Sequence, residues 1–164
     1  MPYRFCPKCG GRLKRQKENL YICAKCSYEF WLNPRPCNMI IVQNETDEIL
    51  FVKRKISPAK GKWDLPGGFM ELYENCEKAA MRELYEETNL KVHNIKYLGS
   101  TTDVYPYKGD KYPTVVLAYK TQVRNAQVKA NDDAEDFHWF KINNIPTNKL
   151  AFKCIKWTVD QIKN

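Results

Sequence analysis

Glu74, Arg82, Glu83, Glu86 and Glu87 concentrate carboxylate and one guanidinium behind the glycine pair Gly67-Gly68. The 164-residue chain carries 27 Lys and Arg against 19 Asp and Glu, a formal net charge of +8. So dense an acidic cluster in a basic protein calls for a physical reason. On a 3.6-residue helix Glu83, Glu86 and Glu87 stand at i, i+3 and i+4 and share one face. Like charges at that spacing repel by roughly 0.2–0.5 kcal/mol per pair. Arg82 can pair with Glu86 one turn on and with Glu74 across the turn, but it cannot neutralise every carboxylate. A hard cation can, because Mg²⁺ and Mn²⁺ take oxygen ligands. The plainer alternative is a solvated acidic face on an amphipathic helix.

The elements that must hold these groups can be read from the same stretch. Asn75 is a good N-cap, and Glu77 falls in the first turn, where negative charge suits the helix dipole. Residues Cys76 to Thr88 contain no proline or glycine and are rich in strong helix formers. Ala80, Leu84 and Thr88 form a stripe that can pack on a core, next to the carboxylate face. Ahead of the helix, Trp63-Asp64-Leu65-Pro66-Gly67-Gly68-Phe69 allows a tight turn and close backbone approach. That turn would bring a main-chain carbonyl beside the helical carboxylates.

Read as one pattern, Gly68-x5-Glu74-x7-Arg82-Glu83-Leu84-x-Glu86-Glu87-x-Asn89-Leu90 resembles the signature of the Nudix hydrolases. The departure is Asn89, where the family has glycine. That position should end the helix in a left-handed conformation, which asparagine tolerates next best. The resemblance implies an α/β/α sandwich with a mixed β-sheet. It also implies metal-dependent cleavage, with Mg²⁺ or Mn²⁺, of a phosphoanhydride bond in a nucleoside diphosphate linked to another moiety. Carried over by position, Glu83, Glu86 and Glu87 are catalytic metal ligands, and one of them can be the general base. The Gly67 carbonyl is a further ligand, and Gly68, Glu74 and Arg82 support the loop and helix. The base can instead lie on a later loop, and Asp103, Asp110, Asp133 and Glu135 are not separable by sequence.

A second cluster opens the chain. Cys6-Pro7-Lys8-Cys9 and, thirteen residues on, Cys23-Ala24-Lys25-Cys26 are two CxxC knuckles with the spacing of a four-cysteine zinc ribbon. Leu13 to Lys17, Leu20 to Ile22 and Tyr28 to Trp31 read as short strands around it. So small a segment cannot build a sufficient apolar core, so structural Zn²⁺ would supply folding energy. Disulfides fit less well, because seven cysteines leave one over and no signal peptide precedes them. Cys37, Cys76 and Cys154 are scattered and read as core residues.

The stiff connector Asn33-Pro34-Arg35-Pro36 divides the chain into a ribbon, 1–33, and a Nudix domain, 34–164. Residues Cys37 to Gln43, Ile49 to Arg54, Thr114 to Val123 and Asp136 to Phe140 read as strands, with another within Val92 to Tyr105. Residues Pro106 to Asp110 read as a turn. Asn148 reads as the N-cap of a last helix to about Ile162. No transmembrane segment is visible, so a cytoplasmic protein without membrane contact is expected.

Substrate and partners are less legible. Lys53, Arg54, Lys55, Lys60 and Lys62 cluster before the glycine turn, and one or more of them, Arg54 foremost, is expected to contact phosphate, with no signal in the sequence that separates them. A ribbon ahead of a Nudix domain resembles the NADH pyrophosphatase branch, but the Ser-Gln-Pro-Trp array of that branch is missing here. Pro106, sixteen residues past Leu90, resembles a marker of ADP-ribose pyrophosphatases. Tyr105 and Tyr107 beside it can stack on a nucleobase or serve as ordinary strand residues. The expected partner is a small nucleotide, with ADP-ribose or a related dinucleotide in front. NADH or NAD cleavage, RNA 5′-end processing and a non-catalytic ligand-sensing or nucleic-acid-binding module are the alternatives. Lys8, Lys14, Arg15, Lys17 and Lys25 around the ribbon read first as a solvated surface and only second as a nucleic-acid contact. His138, beside Trp139, reads as structural. Trp31 and the Pro34–Pro36 connector offer a contact for a homodimer.

Overall fold

The computed structural model describes residues 3–124, 126–131 and 133–163. Two sheets organise the chain. The first is a three-stranded antiparallel sheet of β1 (Leu13–Arg15), β2 (Leu20–Cys23) and β3 (Glu29–Trp31). Tyr21 and Phe30 pair across it, and Phe30 also packs on Tyr3. Trp31 is exposed, as expected.

The second sheet holds β4 (Arg35–Gln43), β5 (Glu48–Arg54), β6 (Trp63–Asp64), β7 (Lys96–Tyr107), β8 (Asp110–Gln122) and β9 (Ala134–Lys141). The order is β6-β5-β4-β8-β7, with β9 also paired to β5. Strands β4 and β8 run parallel and the other pairs antiparallel, so the sheet is mixed.

Alternation along β4 explains the layers. Met39 and Ile41 face one side, with Ile49 and Phe51 of β5. Ile40 and Val42 face the other, with Leu50. Helix α1 (Cys76–Thr88) covers the second face through Ala80 and Leu84, and α2 (Lys153–Asp160) covers the first through Cys154, Ile155 and Val159. This is the α/β/α sandwich that the pattern implied. Among the described residues no helix is long and apolar enough to cross a membrane.

Helix α1 has the expected limits. Asn75 Oδ1 accepts the Lys78 N–H, and Asn89 ends the helix at φ 60°, donating its own N–H to Tyr85. Three sequence expectations need correction. Asn148 does not cap the last helix; it lies in the 3₁₀ turn Thr147–Lys149, and α2 starts at Lys153. The Phe152 N-cap has no capping side chain, and Asp103 of β7 does the work instead, accepting the Cys154 N–H at 2.8 Å. Pro106 is not in a turn: β7 runs on to Tyr107, Pro106 faces Lys111, and the reversal is made by Lys108 and Gly109, both left-handed. A proline is tolerated there because β7 is an edge strand. Arg35 and Pro36 belong to β4 rather than to a free connector.

Candidate active site

The glycine turn is held by a gap in the sheet. Strands β4 and β5 pair only at Gln43 and Ile49, then part. The segment from Pro66 to Met70 fills the space and runs antiparallel beside β4. Ile40 N–H donates to Pro66 O at 2.9 Å, Asn38 N–H to Gly68 O at 2.8 Å, and Met70 N–H to Pro36 O at 3.3 Å. Gly67 has φ 151°, and a Cβ there would collide with the Asn38 carbonyl. A Cβ at Gly68 would overlap the Glu83 carboxylate. Gly67 is therefore required by space against the strand backbone, whereas a side chain at Gly68 would displace the Glu83 carboxylate.

Arg82 gathers the acidic groups. Its Nε and Nη2 donate to the two oxygens of Glu74 at 2.9 and 3.0 Å, a bidentate pair. Nη1 donates to Glu83 and to Glu86, each at 2.9 Å, and Nη2 also reaches the Phe69 carbonyl at 3.2 Å. The Arg82 hydrogen bonds hold Glu74 below the usual carboxylate range. Glu83 is pushed up by burial in spite of Arg82. Glu87 is buried, and its Oε2 accepts the Gly67 N–H at 3.1 Å. Burial, and then the charge of Asp64, push it well above the ordinary value.

These groups open on a cavity of about 420 Å³, within the general range of small-molecule sites. Gly67, Gly68, Arg82, Glu83, Glu86, Glu87, Arg54 and Tyr105 all line it, whereas Glu74, Pro106 and Tyr107 do not. Of the loop acids, Asp103 and Asp133 line it and Asp110 and Glu135 do not. Asp103 is already engaged, with its oxygens accepting the Val104 and Cys154 N–H groups. The residues around Asp133 are tied to α1: Lys129 and Asn131 donate their N–H groups to the Thr88 and Glu87 carbonyls.

Among the described residues the lining carboxylates are Glu71, Glu83, Glu86, Glu87, Asp103 and Asp133, against the guanidiniums of Arg54 and Arg82 alone. That imbalance, together with the upward push on Glu83 and Glu87, fits a site completed by a divalent cation. The glutamates do not converge on one point here, since Glu83 and Glu86 turn to Arg82 and Glu87 to Gly67.

The cysteines do converge. Among the described residues, Cys6, Cys9, Cys23 and Cys26 are the set of three or more ligating side chains whose ligand atoms all lie within 4.8 Å of one another. Sγ–Sγ distances of 3.8, 3.5 and 3.3 Å (Cys6–Cys26, Cys9–Cys23, Cys9–Cys26) are close to the roughly 3.8 Å edge of a tetrahedron with 2.3 Å Zn–S bonds. The Lys8 and Lys25 N–H groups point at the Cys6 and Cys23 sulfurs, each at 3.4 Å. A Cβ at Gly11 would overlap the Cys23 sulfur, so the cradle is shaped by a glycine. The thiols share their protons. At Cys23 desolvation opposes ionisation, but the Cys26 and Lys25 N–H groups outweigh it and bring the thiol down. At Cys26 the Tyr28 backbone contact is outweighed by Cys9 and burial, which push that thiol up. The donor set fits Zn²⁺.

The NUDIX domain family matches residues 33–158. The chain belongs to the NUDIX family. Among its Nudix relatives, the ADP-ribose pyrophosphatase of Methanocaldococcus jannaschii is 36% identical over 127 residues, covering 76% of this chain and 71% of that protein. The NAD-capped RNA hydrolase NudC of Vibrio atlanticus is 27% identical over 166 residues and covers 98% of this chain. The match spans 59% of the NudC length. In structure, a NUDIX hydrolase from Nitrosomonas europaea superposes with a TM-score of 0.72 at 29% identity, covering 98% of this chain and 89% of that one.

Several residues in the Nudix cavity or behind its wall were not foreseen. Phe69 and Phe152 flank Tyr105, at ring-centroid distances of 5.2 and 5.6 Å, and form an aromatic wall. Asp64 is buried and pairs with Arg54 at 3.0 Å. Asn38 lines the cavity with its carboxamide buried and unpaired. Asp64 did stand in the glycine-turn flank, and its charge in an apolar run was the available signal. Nothing in the sequence brings Phe152 to the site, because β7 and α2 meet only in the fold.

Proposed function

We propose that this chain is a metal-dependent pyrophosphohydrolase that cleaves the phosphoanhydride bond of a nucleoside diphosphate joined to another moiety, with ADP-ribose or a related dinucleotide as the favoured substrate. One observation carries the reading: Glu83, Glu86 and Glu87 line one cavity with the Gly67-Gly68 turn, Arg54 and an aromatic wall. The aromatic wall suits a nucleoside and Arg54 suits a diphosphate. Arg82 orients Glu83 and Glu86, and the Gly67 N–H orients Glu87. Mg²⁺ or Mn²⁺ bound by Glu83, Glu86, Glu87 and the Gly67 carbonyl would polarise the phosphoryl oxygens and lower the pKa of a water. Of the later acids Asp103, Asp110, Asp133 and Glu135, Asp133 is the one that lines the cavity without the Asp103 role of capping α2, and it is the candidate for a base outside the helix.

ADP-ribose is favoured because the M. jannaschii relative carries that activity in its name and is the more similar in sequence. The second reading, a hydrolase of dinucleotides or of NAD-capped RNA, is favoured by the NudC match, which extends over the N-terminal cysteines. In both readings residues 1–33 form a zinc ribbon held by Cys6, Cys9, Cys23 and Cys26, and residues 34–164 form the catalytic domain.

A panel of ADP-ribose, NADH, NAD, nucleoside triphosphates and capped RNA, each with Mg²⁺ and with Mn²⁺, tests the proposal. Fastest turnover of ADP-ribose supports the first reading, and fastest turnover of NADH or capped RNA supports the second. No turnover of any member, with salt-sensitive RNA binding that tracks the ribbon lysines, would replace both with a binding module.

A further inference from the structure

Arg54 stands at the end of β5, where the register to β9 shifts. Its head is fixed on three sides. Nε donates to the Pro58 carbonyl at 2.8 Å, Nη1 donates to Asp64 Oδ2 at 3.0 Å, and the guanidinium carbon lies 5.1 Å from the Phe152 ring centroid. A guanidinium has five N–H donors. These contacts engage two, Tyr105 also interacts with the guanidinium, and the side chain lines the cavity.

Asp64 has the opposite character. It sits on β6 across from Val52, is 6% exposed and does not line the cavity. Its Oδ1 is buried with no hydrogen-bond partner. A carboxylate in that position weakens the fold unless its partner repays it. Its neighbours in the sheet and chain, Val52 and Leu65, are buried and apolar, so packing alone asks for no charge here.

We propose that Asp64 is a positioning residue: with Pro58 and Phe152 it locks the Arg54 guanidinium so that the free donors meet the diphosphate of the substrate. The inference rests on the pyrophosphohydrolase reading above. A long side chain already fixed before binding loses little rotamer freedom on contact. The effect of Asp64 therefore belongs in substrate affinity more than in the rate of the bound complex.

The test uses Asp64→Ala, Asp64→Asn, Arg54→Ala and the double variant Asp64→Ala/Arg54→Ala in the full chain. KM and kcat are measured for ADP-ribose, and binding of inorganic pyrophosphate is measured by calorimetry. Asp64→Ala should raise KM about ten-fold or more, with kcat within about three-fold. Asp64→Asn keeps an acceptor for Nη1 and should fall between it and the parent. The double variant should bind no worse than Arg54→Ala alone, because both remove one device. Unchanged KM and pyrophosphate affinity in Asp64→Ala, or effects of the two single variants that simply multiply, would overturn the proposal. If Asp64→Ala does not fold, the same cycle with Asp64→Asn and Arg54→Lys decides it by the same criteria. If the parent hydrolyses nothing, the hydrolase reading fails, while coupling in pyrophosphate binding still reads Asp64 separately.

Discussion

Glu87 Oε2 accepts the backbone N–H of Gly67 at 3.1 Å, so the buried carboxylate of α1 is registered directly on the glycine turn. The same turn is hydrogen-bonded to β4 on its other side, through Asn38 and Ile40. Helix, turn and strand therefore set one another's positions, and the geometry of the cavity depends on the parting of β4 and β5.

Gly67→Ala should disrupt that arrangement. The added Cβ meets the Asn38 carbonyl, and φ 151° suits only glycine. Overpacking of this kind costs about 1–3 kcal/mol. Urea unfolding should show that loss, and activity should fall with it. An unchanged midpoint would mean that the turn is free to move away from β4.

Asn89 gives a milder test. It ends α1 in the left-handed region at φ 60°. Asn89→Ala should destabilise by about 1 kcal/mol, and Asn89→Gly should be close to neutral or better. Thermal melts of the two variants check this. Equal melting temperatures would show that the left-handed cap is not what ends the helix.

Asp64 makes stability depend on pH. Burial, opposed by Arg54, raises its carboxyl from 3.8 to about 6. The folded chain then holds a proton that the unfolded chain has released between those values. By linkage this contribution to stability is complete below about pH 4 and is lost as pH rises through about 6. Relative to Asp64→Asn, the parent should lose on the order of 3 kcal/mol across that window. Chemical denaturation of both proteins at pH 4 and pH 7 reads the difference. A constant difference would contradict the raised value.

The cysteine set should carry a single structural zinc. Metal analysis should find it, and strong chelation should make the segment around β1–β3 cleavable by protease while the second sheet stays folded. Cys26→Ser should reproduce this without chelator. A metal-free protein with an unchanged protease pattern would remove zinc from the account.

Much of this was legible from spacing. The limits of α1, the pairing of Arg82 with Glu74 and Glu86, the left-handed Asn89 and the gathering of four cysteines all follow from local pattern. What was not legible depends on distant contacts. Asn148 has the chemistry of an N-cap, yet α2 starts later because Asp103, 51 residues away in sequence, caps it from β7. Pro106 has the chemistry of a turn, yet the reversal goes to Lys108-Gly109 and an edge strand admits the proline. Tyr105 and Tyr107 share one face of β7 and their rings stack at 6.5 Å, yet Tyr105 alone of the two lines the cavity, because Tyr107 stands at the hairpin end of the strand. The Arg54–Asp64 pair required β5 and β6 to be brought into register first.

The central claim is that the α1 glutamates carry metal-dependent hydrolysis, and one measurement tests it most directly. ADP-ribose is incubated with Mg²⁺ or Mn²⁺ and either the parent protein or Glu87→Gln, and release of AMP and ribose 5-phosphate is followed. The account predicts turnover by the parent only with metal, and a loss of about 100-fold or more in Glu87→Gln with the fold intact. Metal-dependent turnover that survives Glu87→Gln unchanged would contradict it.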